Sequence, residues 1–112
     1  MRLALVLVLG SFLVPQTAPP PATEVYLAPL SGSGGALTIG TPVDISHSPE
    51  YDNQPSFLPD GSAMLFTSRR DGKQTDIYRY DIKTKLVTQL THTAENEYSA
   101  LVTPDDKTFS TV

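Results

Sequence analysis

Histidines and carboxylates recur in this chain at a fixed spacing. His47 and His92 are 45 positions apart, and Glu50 and Glu95 have the same separation. Two histidines on one face of a protein could bind a metal or transfer a proton. A catalytic histidine is usually unique, however, so we favour a structural explanation in which each histidine hydrogen-bonds an equivalent loop.

Four acidic residues in the same two segments form a second candidate group. They are Glu50, Asp52, Glu95 and Glu97. Paired carboxylates can serve as acid and base or bind Ca²⁺. The alternating Asp/Asn loop of a calcium site, with its Gly and terminal Glu, is absent from the sequence. We therefore favour solvated loop charges, and we name these four residues as the place where a cation would bind.

Other sequence signals for chemistry are weak. Arg69-Arg70 is the only basic cluster, and ion pairing with nearby carboxylates is favoured over capture of an acidic ligand. Tyr26, Tyr78 and Tyr80 could stack on a carbohydrate, but packing inside the fold is the more usual role. No Gly-x-Ser-x-Gly motif occurs. We expect no catalytic residue and no cofactor in the chain.

Composition excludes several functional classes. The chain has 112 residues, a net charge of −4 and no cysteine. Nucleic acids require basic patches, so we expect no nucleic-acid partner. The absence of cysteine also excludes thiol catalysis, thiolate metal sites and disulfide bonds.

The spacing of the histidines belongs to a longer internal repeat. Residues 43–61 match residues 88–106 without a gap, and most differences exchange similar side chains, such as Ile45 with Leu90. A period of about 40 to 50 residues in a chain of short strands and turns is typical of β-propeller blades.

Turn residues mark the boundaries of the predicted strands. Pro restricts φ, Asp bonds its own backbone and Gly accepts positive φ, so these types together favour tight hairpins. The residues assigned to turns are Pro59, Asp60, Gly61, Asp71, Gly72, Pro104 and Asp105. We predict structural roles for all of them.

Short apolar and β-branched segments between the turns predict an all-β protein. The candidate strands are 23–29, 37–39, 43–46, 55–58, 63–68, 75–81, 86–91 and 108–112. Residues 31–35 are predicted as a flexible loop, and residues 47–54 as a polar loop. Because the connections are short, the strands should pair as antiparallel four-stranded blades.

One segment resembles a known family. The string from Pro55 to Tyr78, continuing to Leu90-Thr91, is similar to the TolB-like, WD-like β-propeller repeat of exported proteins. The resemblance covers residues 24–112. It implies a ring of about six blades. The chain would supply a partial blade, one full blade and the start of another, so we expect an N-terminal fragment of a longer protein.

The first residues predict export. An apolar run from Leu3 to Val14 follows Arg2 and is shorter than the roughly 20 residues of a membrane span. We predict a signal peptide over residues 1–18, a Pro-rich linker over 19–23 and propeller blades over 24–112. The expected location is periplasmic or secreted, with no stable membrane span after cleavage.

Two functions are compatible with these features. The resemblance favours an exported, non-enzymatic β-propeller that serves as a scaffold in the cell envelope and binds an envelope protein or a small ligand. The alternative is the N-terminal gating propeller of a prolyl-oligopeptidase-like serine hydrolase. A catalytic motif in a longer sequence would favour the second function.

Overall fold

A computed structural model describes residues 21–71 and 73–112, and the described part is all-β, with no helix. The predicted signal peptide and Gly72 lie outside the described residues. The described residues form ten strands: β1 Tyr26–Leu27, β2 Leu30–Ser33, β3 Ala36–Ile39, β4 Val43–Asp44, β5 Asp52–Phe57, β6 Ala63–Ser68, β7 Asp76–Asp81, β8 Val87–Gln89, β9 Leu101–Val102 and β10 Phe109–Ser110. None of the described segments forms a helix that could cross a membrane.

The main sheet contains four antiparallel strands in the order β5-β6-β7-β8. All six residues of β6 are buried, as the apolar sequence Ala-Met-Leu-Phe predicts for an interior strand covered on both faces. β6 pairs with β7 in continuous register, with Phe66 opposite Tyr78. The predicted all-β class with antiparallel sheets is therefore confirmed.

The part of the chain that the structure describes also forms three smaller sheets, each with two antiparallel strands. β1 pairs with β4, β2 with β3, and β9 with β10. Each pair is joined by hydrogen bonds along one edge only, and the β1–β4 and β9–β10 segments also pack against the main sheet.

Both faces of the main sheet are covered. On one face, Val25 and Ile45 from the β1–β4 segments pack against Phe66 and Tyr78. On the other face, Ala100, which precedes β9, packs against Leu65 and Ile77. Alternation along β6 and β7 therefore directs successive side chains into two separate cores.

The predicted polar loop over residues 47–54 is wrong at its end, because β5 begins at Asp52. The strand is anchored there by the Asp52 N–H, which donates to the Thr23 carbonyl at 3.0 Å. A bulge between Asn53 and Ser56, with Gln54 at φ 53°, then redirects the strand. Polar side chains concealed this strand start, since one buried carboxylate does not resemble a hydrophobic pattern.

The predicted flexible loop over residues 31–35 is also wrong. These residues form most of the β2–β3 hairpin, in which Ser31 pairs with Thr38. Gly32 is required, because its φ is 103° and a Cβ there would lie 2.1 Å from the Ala36 carbonyl oxygen. Every residue of both strands is exposed, which explains the absence of an apolar strand pattern.

Candidate functional site

The turn between β5 and β6 is closed by the side chain of Asp60, which lies within the turn. Asp60 Oδ1 accepts a hydrogen bond from the Ser62 N–H at 2.9 Å, and Gly61 has φ 70°. The Gly61 N–H donates to the Leu58 carbonyl, one residue before Pro59. The backbone bond from Ser62, supported by its hydroxyl, lowers the pKa of Asp60. This geometry gives Asp60 a local structural contact.

The turn between β9 and β10 has the same construction. Asp105 accepts bonds from the Thr103 hydroxyl at 2.6 Å and from the Lys107 N–H at 3.3 Å, and these contacts lower its pKa. Asp105 follows Pro104, as Asp60 follows Pro59. Asp106 occupies the position of Gly61 and has φ 57°. The hairpin is therefore retained with a non-glycine residue in the left-handed region.

Two further turn aspartates bind backbone groups. Asp71 accepts the Lys73 N–H, whereas its neighbour Gly72 lies outside the described residues. Asp81 ends β7 and accepts both the N–H and the hydroxyl of Thr84. The backbone bond from Thr84, followed by its hydroxyl bond, lowers the pKa of Asp81 to about 2.

A buried polar cluster lies where β5 and β6 meet the preceding loop. Asp52 is only 1% exposed, and its Oδ1 lies 3.5 Å from Arg70 Nη2. Burial raises the pKa of Asp52, and the hydroxyls of Ser68 and Ser48 together with the Arg70 guanidinium oppose the rise. The cluster therefore combines a desolvated carboxylate with neutral and charged donors.

Arg70 joins this cluster to the aromatic core. Its Nε donates to Ser68 Oγ at 3.1 Å, and its Nη2 donates to the Ser46 carbonyl at 3.0 Å. The guanidinium carbon lies 4.4 Å from the centre of the Tyr78 ring and 5.6 Å from that of Phe66. Burial raises the Tyr78 pKa, although Arg70 opposes the rise. Arg70 is thus committed to internal contacts.

An equivalent cluster surrounds Glu97. Its carboxylate accepts a hydrogen bond from the Thr91 hydroxyl at 2.8 Å and another from the Thr93 hydroxyl. Thr91, Thr93 and Glu97 are 45 positions after Ser46, Ser48 and Asp52. The repeat therefore places a carboxylate beside two hydroxyl residues at both positions.

Each cluster also contains residues from a second internal repeat, which has a different spacing. Thr23-Glu24-Val25-Tyr26 matches Thr75-Asp76-Ile77-Tyr78 at an offset of 52. The Val25 N–H donates to Ser46 Oγ, and the Ile77 N–H donates in the same way to Thr91 Oγ1. The two acidic residues at the second position accept from those same hydroxyls.

Sequence comparison at the 45-residue offset alone missed this match. We call the segment from β1 to β4 the first unit and the main sheet the second unit, so that β1 and β4 match the third and fourth strands, β7 and β8. Between matching positions of these strands the first unit is seven residues longer than the second, because it contains the β2–β3 hairpin. A search for the short pattern Thr-acidic-β-branched-Tyr would have found it. The Asp76 carboxylate of this pattern is desolvated, and burial and then the nearby Glu97 charge raise its pKa.

The four predicted cation ligands are not brought together. Glu50 forms a 2.8 Å ion pair with Arg69, while Asp52 lies beside Arg70. Glu95 is exposed, and Glu97 is bound by the two threonine hydroxyls. Across residues 21–71 and 73–112, no three His, Cys, Asp or Glu side chains are placed to hold a metal ion.

Both histidines are exposed, and they are not arranged as a catalytic pair. His47 Nδ1 lies 3.7 Å from Asp44 Oδ2, and the His47 N–H donates to Asp44 Oδ1. His92 is exposed in the equivalent loop. Although burial opposes the effect, hydrogen bonds from the His47 backbone and from Ser46 lower the pKa of Asp44.

An open cleft of about 550 Å³ lies between the β1–β4 pair and the main sheet. Apolar side chains dominate its lining, including Leu27, Val43, Phe57 and Tyr80, and His47 lies at its border. Tyr26 is 59% exposed, whereas the equivalent Tyr78 is 5% exposed. The first unit therefore lacks the cover that the main sheet provides for its own tyrosines.

Comparison with known proteins gives one informative match. No family model matches the chain, so membership of the TolB-like family stays a prediction. Oligogalacturonate lyase from Dickeya dadantii (strain 3937) is 39% identical over 77 residues, which cover 68% of this chain and 20% of the lyase. The matching region of this chain thus spans about a fifth of the relative's length.

This match overturns the prediction that the protein is not an enzyme. The named relative is a lyase, and it is 39% identical to this chain over 77 residues. The error has a clear physical source. The residues responsible for the resemblance form strands and turns, and such a framework supports catalytic and non-catalytic proteins alike.

Proposed function

We propose that this chain supplies repeat units to a β-propeller enzyme that acts on oligogalacturonate or a closely related acidic oligosaccharide. The observation that carries the proposal is the 39% identity over 77 residues to oligogalacturonate lyase. The antiparallel all-β architecture and the repeated polar clusters support the propeller part of the proposal.

The described residues have a framework role in this proposal. Their strongest polar groups are engaged inside the fold: Arg70 binds Ser68 and Ser46, and Arg69 binds Glu50. A substrate carboxylate would have to displace these internal partners. We therefore assign substrate binding and catalysis to the part of the enzyme outside the matched fifth.

The reaction would be an elimination at a uronate residue. A base removes the proton on the carbon next to the carboxylate, the glycosidic C–O bond breaks, and a carbon–carbon double bond forms. The departing sugar oxygen takes a proton. Export is a further part of the proposal, supported by the apolar run from Leu3 to Val14.

The test is incubation of the protein that contains this chain with defined oligogalacturonates. The expected product carries a new double bond, detected by ultraviolet absorbance and by mass spectrometry without addition of water. Galactose oligosaccharides of equal length, which lack the carboxylate, should remain intact. Failure to form an unsaturated product from any oligogalacturonate would overturn the proposal.

The same preparation tests the prolyl-oligopeptidase-like alternative, which stays a prediction. Cleavage of a proline-containing peptide, blocked by a serine-directed inhibitor, would support that alternative. An oligogalacturonate lyase should leave the peptide intact.

A further inference from the structure

Asp52 lies at the joint between the first unit and the main sheet. Its N–H donates to the Thr23 carbonyl at 3.0 Å, and its carbonyl accepts a hydrogen bond from the Thr23 hydroxyl at 2.9 Å. Within the main sheet, Asp52 pairs with Ser68 at the end of β6. The Asp52 side chain is therefore enclosed where the segment before β1 meets the start of β5, and the residue is 1% exposed.

The buried Asp52 carboxylate lacks hydrogen-bond donors. Among the described residues, neither of its oxygens has a hydrogen-bond partner. Arg70 Nη2 lies 3.5 Å from Oδ1, within ion-pair distance, but donates its hydrogen bond to the Ser46 carbonyl at 3.0 Å. The charged form of Asp52 is costly at such a site, because few contacts replace the water that the carboxylate has lost.

The equivalent cluster shows what the Asp52 pocket is missing. Glu97 accepts hydrogen bonds from two threonine hydroxyls. The matching groups near Asp52 are the hydroxyls of Ser46 and Ser48. The Ser46 hydroxyl donates to Glu24 instead, and a hydroxyl has only one hydrogen to give. The shorter aspartate side chain is therefore left without the contacts that its counterpart has.

The groups that surround Asp52 act on its charge in both directions. Burial raises its pKa, and the Glu24 charge adds to the rise. The hydroxyls of Ser68 and Ser48 and the Arg70 guanidinium oppose it. The charged and titratable groups around the pocket are Arg70 after β6, Glu24 before β1, Tyr78 in β7 and the neighbouring Arg69–Glu50 ion pair.

We propose that Asp52 binds a proton as the pH falls and that this protonation strengthens the joint between the first unit and the main sheet. The neutral acid no longer requires burial of a charge, and it gains an O–H donor for the oxygens around it. Arg70 keeps its hydrogen bonds to Ser68 and Ser46 when Asp52 is neutral. The joint is therefore a pH-sensitive element that is firmer in mild acid than at neutral pH.

The direction of this pH effect follows from the raised pKa of Asp52. The folded chain binds the proton more tightly than the unfolded chain, in which the pKa is the ordinary 3.8. The stabilisation is fully present below pH 3.8 and is lost as the pH rises through the folded-state pKa. Each unit between the two pKa values changes the folding equilibrium constant about tenfold. This effect concerns folding and does not rest on the proposed enzymatic activity.

The Asp52→Asn variant tests the proposal, because its amide is uncharged at every pH and has nearly the shape of the protonated acid. Urea denaturation between about pH 3 and pH 8 gives the folding equilibrium constants of the variant and of the unmodified chain. The ratio of the unmodified constant to the variant constant should fall as the pH rises above 3.8 and then level off. A ratio that stays constant or rises over this range would overturn the proposal.

Asp60→Asn is the matched control for this experiment. Asp60 lies in an exposed turn, and hydrogen bonds from Ser62 lower its pKa. The corresponding ratio for Asp60 should therefore rise with pH, and it should do so below pH 3.8 rather than above it. The same response from both variants would assign the effect to the loss of any negative charge and would overturn the proposal for Asp52.

Carbon-13 NMR titration of the Asp52 carboxyl in the unmodified chain needs no substitution. A midpoint above 3.8 is expected, and a midpoint at or below 3.8 would overturn the proposal even if the variant failed to fold.

Amide hydrogen exchange locates the effect within the fold. The Thr23 N–H donates to the Glu50 carbonyl across the joint, whereas the Gly40 N–H donates to the Pro29 carbonyl beside the β2–β3 hairpin. After correction for the pH dependence of chemical exchange, the Thr23 amide should be better protected in mild acid than at neutral pH, and the Gly40 amide should not change. The Asp52→Asn variant should abolish the change at Thr23. Equal protection of Thr23 at both pH values in the unmodified chain would contradict a strengthened joint.

Discussion

Buried carboxylates in the described residues lie beside hydroxyl groups. Glu97 accepts hydrogen bonds from Thr91 and Thr93, and the Asp52 pocket contains serine hydroxyls together with Arg70. Such contacts offset part of the cost of removing a carboxylate from water. Glu97, which the sequence offers as an acid, base or metal ligand, therefore has structural partners in the fold.

The Arg69-Arg70 pair provides a matched test of this view. Arg70→Ala removes two hydrogen bonds and leaves Asp52 buried without its cation, so the free energy of unfolding should fall by about 2 to 3 kcal/mol. Arg69→Ala removes a partly exposed ion pair with Glu50 and should cost about 0 to 1 kcal/mol. Urea denaturation at one protein concentration measures both. Equal losses of unfolding free energy would show that the Arg70 contacts stabilise the protein no more than the Arg69–Glu50 ion pair does.

Asp81 offers a prediction about acidity. Its pKa is about 2, because the Thr84 N–H and hydroxyl bind the carboxylate. A pKa depressed below the ordinary 3.8 means that this stabilisation is present above pH 3.8 and is lost as the pH falls toward 2. Titration followed by carbon-13 NMR should give the low value directly.

The Thr84→Val variant should raise the pKa of Asp81 toward 3.8, since it removes the hydroxyl bond. Asp60 serves as an internal control, because its pKa is lowered by Ser62 and should not change. An unchanged Asp81 titration in the variant would exclude a contribution from the hydroxyl.

The positions of the turns are easier to predict from the sequence than the positions of the buried polar clusters. Asp60 and Asp105 occur in short motifs whose backbone preferences are local, so their positions could be predicted. The burial of Asp52 depends on Thr23, which is 29 residues away and contacts the start of β5. No local pattern contains that information.

At the level of elements, the hydroxyl residue at the end of each fourth strand joins three parts of the chain. Thr91 accepts the Ile77 N–H, donates to Glu97 and lies within 3.4 Å of Asp76. Ser46 makes the corresponding contacts with Val25 and Glu24. These contacts connect the third strand of a unit to the loop that enters the following unit.

The Thr91→Val variant should therefore destabilise the protein by about 1 to 3 kcal/mol, because the Ile77 N–H and the Glu97 carboxylate both lose a partner. Thr88→Val changes an exposed position in β8 and should have an effect within about 0.5 kcal/mol. Thermal and urea unfolding of the two variants measures the difference. A similar stability for both would refute the connecting role of the hydroxyl.

The two hairpin turns should respond to substitution with opposite signs. Asp106→Gly relieves a left-handed residue with φ 57° and should stabilise the protein by about 0.5 to 1 kcal/mol. Gly61→Asp introduces the same strain at φ 70° and should destabilise it by a similar amount.

Lys107→Gly is the control for the first of these substitutions, because Lys107 does not have a positive φ. Chemical denaturation should show a loss of stability there rather than a gain. If both glycine variants were stabilised, the effect could not be assigned to the conformation of Asp106.

Across the whole molecule, protection from solvent is concentrated in the main sheet. β6 is fully buried and pairs on both sides, whereas β2 and β3 are fully exposed and pair only with each other. The repeat predicted the four-stranded unit well. It did not predict the β2–β3 hairpin, because the corresponding connection in the second unit is the short turn between β7 and β8.

Hydrogen exchange should reveal this gradient. We expect the amides of β6 and β7 to exchange slowest and those of β2 and β3 to exchange at least a hundredfold faster, since the hairpin opens without disturbing either core. Mass spectrometry of peptides covering the two regions is the measurement. Equal protection would mean that the hairpin is packed against another surface in solution.

The exposed β2–β3 hairpin also has a practical consequence. Its tip at Gly34-Gly35 lies in the connection between β1 and β4. The matching connection in the main sheet, between β7 and β8, has far fewer residues. An epitope tag, a fluorophore or a surface-attachment peptide could therefore be inserted between these glycines while the repeat framework keeps its geometry. The hairpin is therefore a suitable attachment site for a label used to observe single molecules.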